Sequence, residues 1–404
     1  MPARVGQLPL RKEVTLVIWG LWVLAHSSSL AAAGWSFEPA IETGAEYDTN
    51  VRLTTGPHDS VWGATIAPEL ILNKETERTR VDLGLLLVST QYSGDEVDDI
   101  DDQVLTVGTR QQITERASWG FDGSFIRDTL LRGVDTFGAP IDIPDVDLED
   151  TDVALVQQRV RRERLRLRPL WTYALTPRTS GLLEYRFVDA SFSDIGTTDL
   201  VDYDRNRILY TLSTRLTGAK SVNFVADVSR YRAPDANTET DNVSLLGGMG
   251  YAFSETLRGE FLVGVRETSF EPESPVDDTS GVVYRASLEK RSEVTALTMI
   301  LRRDIDPTGV GESVETDELI ILLRRELSPR LTFRFRADLF ENKSLQVANV
   351  DRKYYEVEPL LRWQWTRSRF LQGAYRYRRN RRDIDQESAD SNSVFFSVVF
   401  VGLR

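Results

Sequence analysis

Arginine recurs at alternate positions in the stretch RVRRERLRLRPLWTYALTPRTSGLLEYRF, residues 159–187, as Arg162, Arg164, Arg166 and Arg168. In an extended chain successive side chains point to opposite sides. These four therefore share one face, and Leu165, Leu167, Trp171 and Tyr173 share the other. Like charges this close repel, so the row must face acids or water. Arg186, Arg334, Arg336, Arg376 and Arg378 fall on comparable polar faces, with Glu184, Asp338, Glu356 and Glu358 interspersed. Two kinds of chemistry fit. Cross-strand ion pairs would fill an interior and fix strand register. Alternatively, Arg162, Arg164, Arg166, Arg168, Arg186, Arg334, Arg336, Arg376 and Arg378 line a pore and draw small anions past guanidinium groups, as charged rings do in other channels.

Enzyme chemistry finds little to stand on. Of the two histidines, His26 lies in the leader segment, which leaves His58 beside Asp59 and Ser60 in a polar loop. Adjacent loop residues rarely build a nucleophile relay. The acid clusters at 95–102 and 142–152 lack the ordered spacing and glycine of a calcium loop. With no cysteine there is no disulfide framework and no thiolate metal site. The expectation is no catalytic group, no cofactor and no metal.

The elements that carry the arginines read as strands. In residues 159–187 a Thr-Pro-Arg-Thr-Ser-Gly reversal separates two alternating arms, the second placing Leu183, Tyr185 and Phe187 opposite Glu184 and Arg186. The unit recurs along the chain. Counting the arms gives about eighteen strands of about ten residues, sixteen being the nearest even alternative, in an all-β, antiparallel, up-and-down transmembrane barrel. Connections alternate long and short. With the amino terminus in the periplasm, the short turns fall on the periplasmic side and the long, mostly acidic loops outside. Aromatic residues gather near both ends of the arms, as two interfacial girdles would require. One register is not legible: 81–92 is apolar on both faces.

The chain has 404 residues and a formal net charge of −13, which argues against a nucleic-acid partner. A mean hydropathy of −0.30 excludes a bundle of membrane helices but not a barrel. Arg4, Arg11 and Lys12 precede the apolar run 14–25, and Ala31-Ala32-Ala33 follows it. This is the pattern of a cleaved export signal. Two regions are expected: a signal peptide, 1–33, and an outer-membrane barrel, 34–404.

The segment GAEYDTNVR at 44–52, the turn forms LTPRTS at 175–180 and LSPRL at 327–331, and YEVEPLLRWQWTRSRFLQGAYRYRRN near the end resemble the putative β-barrel porin type 2 family of bacterial outer-membrane proteins. The resemblance implies an outer-membrane barrel and carries no catalytic residues. Some members of that family accompany surface exopolysaccharide systems. Such barrels usually end on an aromatic residue used in assembly, and this chain departs from that with Val401-Gly402-Leu403-Arg404. The expected function is passive diffusion of small polar or anionic solutes. The alternatives are export or attachment of a surface polysaccharide, and a structural barrel with a plugged lumen. The expected partners are outer-membrane lipid and the assembly machinery, with a polysaccharide and a second copy of the chain as open classes.

Overall fold

The computed structural model describes residues 34–94, 97–130, 152, 159–270, 277–346, 350–382 and 387–402. They form one closed barrel of eighteen antiparallel strands. In chain order these are β1 Trp35–Asp48, β2 Val61–Glu75, β3 Thr79–Tyr92, β4 Ile100–Gln112, β5 Ala117–Thr129, β6 Arg161–Ala174, β7 Thr179–Ser193, β8 Tyr203–Arg215 and β9 Lys220–Ala233. They continue as β10 Thr238–Ala252, β11 Leu257–Phe270, β12 Thr279–Arg291, β13 Thr295–Pro307, β14 Ser313–Ser328, β15 Leu331–Ser344, β16 Arg352–Thr366, β17 Arg369–Arg382 and β18 Ser388–Val401. Each strand bonds to its neighbours in sequence. The circle closes where β18 meets β1, from Ala40–Val401 to Asp48–Ser393.

Every other residue of a wall strand faces outward, and through the middle of the strands those residues are mostly apolar. Val265 is 64% and Phe396 67% exposed on the outside, whereas inward Arg162 is 0%. This inversion of the soluble pattern is what hydrocarbon outside and a polar interior require. The ambiguous third strand resolves accordingly. Leu86 and Val88 turn inward onto Ala67, Val104 and Ile126, and the alternate leucines turn outward. Trp171, Tyr173, Tyr251, Phe253, Trp363 and Trp365 are exposed near one rim. Tyr185 and Tyr375 mark the other edge of the apolar band, each donating its hydroxyl to an outward asparagine, Asn206 and Asn392, at 2.6 Å.

One rim, the turn end, carries the connections 76–78, 113–116, 175–178, 216–219, 253–256, 292–294, 329–330 and 367–368. A threonine or serine opens many of them. The hydroxyls of Thr76, Thr114, Thr176, Thr217 and Ser292 each accept the backbone N–H three residues on, at 3.0–3.2 Å. The other rim, the loop end, carries 49–60, 93–99, 130–160, 194–202, 234–237, 271–278, 308–312, 345–351 and 383–387. The expected alternation of long and short holds with one exception. Pro234–Ala236 is a single 3-10 turn closed by Asn237 at φ 50°, as short as the turns of the opposite rim.

At the loop end the strands run further than expected. The segments 93–102, 234–241, 304–314, 341–351 and 381–392, whose sequence shows no apolar alternation, contain strand ends such as Ile100–Asp102, Thr238–Asp241, Asp304–Pro307 and Lys343–Ser344. These ends carry polar residues on both faces, so no clean apolar alternation reveals them. Arg230–Asp241 and Arg232–Glu239, for example, pair on the outer surface at 2.6 and 3.1 Å. Most of 126–151, which reads in sequence as a long irregular piece, and all of 1–33, the expected signal peptide, lie outside the described residues; 126–129 is the end of β5.

Between β10 and β11 the backbones come so close at two positions that only glycine fits. A Cβ on Gly248 would stand 1.9 Å from the Phe261 carbonyl oxygen, and one on Gly264 would stand 1.9 Å from that of Leu245. Gly264→Ala is therefore expected to force these strands apart and cost about 1–3 kcal/mol. A lowered urea midpoint for the reconstituted barrel would register it, and an unchanged midpoint would refute the close approach.

Candidate pore lining

The inward face differs between the two halves of the barrel. In the turn-end half, side chains still meet solvent and arginine gathers on two sectors. On β4–β7 a chain of charges runs across the strands. Arg110 grips Asp122 with two hydrogen bonds of 2.8 Å. Arg168 lies 3.5 Å from Asp122 and 3.2 Å from Glu184, and Glu184 in turn pairs with Arg186. Ten strands further round, on β14–β17, Arg334 stands opposite Arg324 and Arg336 opposite Glu358 in the strand register. Arg376 reaches the same Glu358 at 2.9 Å, and the Arg362 guanidinium covers the Phe370 ring at 4.0 Å. In an eighteen-stranded ring these sectors face each other across the lumen. The direct pairs raise local charge neutrality without removing the guanidinium edges. Arg110 and Arg324 keep nearly half of their side-chain surface exposed.

In the loop-end half the inward side chains are buried strand after strand. Arg162 holds Asp128, its register partner on β5, at 2.6 and 3.0 Å, and approaches Asp152 at 3.8 Å. Asp48 at the top of β1 accepts from Asn50 N–H, Ser391 and Ser393 at 2.7 Å each, and from Arg378 at 3.2 Å. Arg378 also donates to the Val51 carbonyl, at 3.3 Å. This network draws the loop 49–60 over the lumen. Its Leu53, at φ 48°, buries its side chain with Phe340, Tyr354 and Ala389 of β15, β16 and β18. Leu53→Ala is expected to cost about 2–5 kcal/mol. Faster proteolysis within 49–60 on the folded barrel would report it, and unchanged cleavage would contradict the anchoring.

Other contacts cross the lumen between strands that are not neighbours. Arg205 and Arg207 of β8 meet Asp306 and Asp304 of β13 at 3.3 and 2.7 Å, and Arg207 also pairs with Asp227 on β9. Arg302 pairs with Glu318 and, at 3.0 Å, with Asp306. Every one of these groups is almost wholly buried, and the partners offset the cost of taking charge out of water.

The arginines singled out from sequence thus divide. All nine lie on inward positions. Arg162, Arg164 and Arg378 are completely buried, Arg376 is nearly so, and Arg166, Arg168, Arg186, Arg334 and Arg336 remain partly open. Arg205 and Arg302 carry no signal that sets them apart from other strand arginines, and Asp304 and Asp306 fall in a segment whose sequence reads as a loop. Asp102 likewise reads as a loop residue, whereas its side chain is buried at the start of β4 and accepts the Thr129 N–H at 3.1 Å. His58 is exposed in the first loop, its ring nitrogen 2.9 Å from the Gly56 carbonyl oxygen. Of the acid clusters, 142–151 lies outside the described residues; among those described, no group of three or more His, Cys, Asp or Glu is placed to hold a metal ion.

A family profile described as putative beta-barrel porin 2 matches residues 30–401. No curated protein matches the chain in sequence. Among solved structures, the chain resembles Pseudomonas aeruginosa OccK2 (OpdF) in complex with glucuronate, at 10% identity and a TM-score of 0.46, over 91% of this chain and 98% of that one. Pseudomonas aeruginosa OpdL is similar at 11% identity and 0.44, over 92% and 99%. A mutant of the ferric enterobactin receptor PfeA of the same organism is similar at 8% identity and 0.46, over 92% and 81%.

Proposed function

We propose that this chain, which belongs to the putative beta-barrel porin 2 family, is a narrow outer-membrane channel that favours small anionic or polar solutes. Its place is the bacterial outer membrane. We take the loop end to face outside and the turn end the periplasm, and residues 1–33 to be an export signal cleaved after Ala33. The amino-terminal residue of the protein recovered from outer membranes tests the last point, with Gly34 expected. The role is passage, not catalysis.

The observation that carries this reading is the pair of arginine sectors facing each other across the turn-end lumen of a chain whose net charge is −13. Cations concentrated on two opposed walls, in a cavity bounded by low-dielectric wall, raise the local concentration of anions. Single-channel conductance and reversal potential of the refolded barrel in planar bilayers are the direct test. A small, anion-leaning current is expected. Arg334→Ser combined with Arg336→Ser should shift the reversal potential toward the cation side with little change in folding. A current indifferent to both substitutions would remove the sector from the selectivity mechanism.

Burial of the loop-end half favours a second reading, a barrel whose lumen is shut and whose role is structural or lies in surface polysaccharide export. A well-folded barrel that never conducts, joined to loss of polymer secretion on deletion of the gene, would replace the channel reading with this one.

A further inference from the structure

The wall is split on its loop side between β12 and β13. Their ladder runs from Arg291–Ala296 up to Tyr284–Arg303 and stops. Both strands continue past that point. β12 goes on to Thr279, held by β11 through Thr268, and β13 goes on to Pro307, held by β14 through Ser313. The stretch of β13 past this ladder has turned into the lumen. Asp304, Ile305 and Asp306 are buried in succession, as are Ser313 and Val314 on β14, whereas a wall strand would show alternate residues to lipid. Arg266, an inward residue of β11, meets Glu315, an outward residue of β14, at 2.7 Å. The inner face of β11 therefore lies over the outer face of β14, and the sheet overlaps itself like a scroll.

The turned-in edge is latched. Its Ile305 carbonyl accepts from Arg205 at 2.7 Å, and the Thr308 carbonyl beyond it accepts from the Tyr231 hydroxyl at 2.9 Å. Gly309 accepts the Val201 N–H at 2.7 Å and donates to Asp152 at 2.7 Å. Asp304 and Asp306 face Arg207 and Arg205.

We propose that this seam is the gate of the barrel. When the latch releases, the edge of β13 swings back and its ladder with β12 continues in the existing register, Val283 to Asp304, Val282 to Ile305 and Gly281 to Asp306. The loop-side lumen widens, and Arg205 and Arg207 then line it. No charge is stranded by the movement. Asp227 stays with Arg207, Arg302 stays with Asp306, and the lumen admits water to the rest. The role as a gate rests on the channel reading; the movement does not.

The chain has no cysteine, so introduced pairs react alone. Val282→Cys with Ile305→Cys places two thiols on outward positions that would be opposite each other only after closure of the seam. Ala286→Cys with Leu301→Cys, already register partners, reports an intact wall. Both pairs are treated with an oxidant and with a short bis-thiol reagent on the reconstituted barrel. The control pair should link at once and the seam pair slowly. Adding Asp304→Asn and Asp306→Asn to the seam pair should speed its linking by about tenfold. Linking of the control pair in that same latch variant excludes misfolding. The linked seam should also hold the channel in its higher conductance. A seam pair that never links, or that links as fast as the control without the latch substitutions, overturns the movement. Linking without a change in an existing current overturns the gate. A seam that links in a barrel with no current at all overturns the channel reading and leaves the movement standing.

Discussion

Arg162→Ala is expected to lower the stability of the barrel by about 3–5 kcal/mol, because it leaves buried acid without its partner. Arg162 has no exposed side-chain surface, and neither has Asp128, which it grips through two hydrogen bonds. The two are register partners at the top of the β5–β6 pair, at the base of the long connection 130–160. Their bond ties the two ends of that connection in one alignment, so the loss is structural before it is electrostatic. Urea unfolding in lipid vesicles gives the magnitude. Asp128→Ala should cost a similar amount, because it leaves the guanidinium buried beside the more distant Asp152. Arg162→Met together with Asp128→Leu should recover most of the loss, since an apolar pair of similar volume avoids the desolvation of both ions. If Arg162→Ala were neutral in stability and instead shifted the reversal potential, Arg162 would belong to the solute path and not to the frame.

The difference between Arg162 and Arg334 was not legible in the sequence, although both stood on the correct face. Alternation specifies a face because lipid demands an apolar residue at every second position, and it does so along each strand independently. The strand number, the closed antiparallel topology and the sorting of connections onto two rims followed from that demand. Alternation is silent about height in the barrel and about neighbours that are not consecutive. Arg207 and Asp304 are 97 residues apart and join strands with four others between them, so no ladder relates them. The acids that complete the network were also hidden in apparent loops. Past the apolar band a strand no longer has to repel water on one face, and the two-residue signal disappears while the ladder continues. Asp102, Asp304 and Asp306 all lie in such strand ends. Pro68, Pro169 and Pro359 sit within strands, on the outward face, where the ladder skips their pairs without ending the strand.

Leu245→Arg is expected to cost about 2–4 kcal/mol, near the full penalty for a cation at mid-membrane. Leu245 is on the outward face of β10, 48% exposed, between Ala226 of β9 and Val265 of β11. Two outward positions above it Asp241 pairs with Arg230, and three below it Tyr251 marks the lower edge of the band. An arginine at 245 must either desolvate its guanidinium in hydrocarbon or stretch to one of those edges. Val294→Arg supplies the contrast. Val294 is equally exposed but lies in the turn between β12 and β13, and there the same substitution should cost about 0–1 kcal/mol. The difference depends on depth alone, since both sites are apolar, exposed and outside the inward charge network. Equal costs at the two positions in lipid would mean that the exposed apolar band does not meet hydrocarbon, and a soluble assembly would then have to cover it. In detergent micelles, whose apolar layer adapts to the protein, the gap between the two variants should shrink. That contrast separates a bilayer effect from ordinary loss of packing at Leu245.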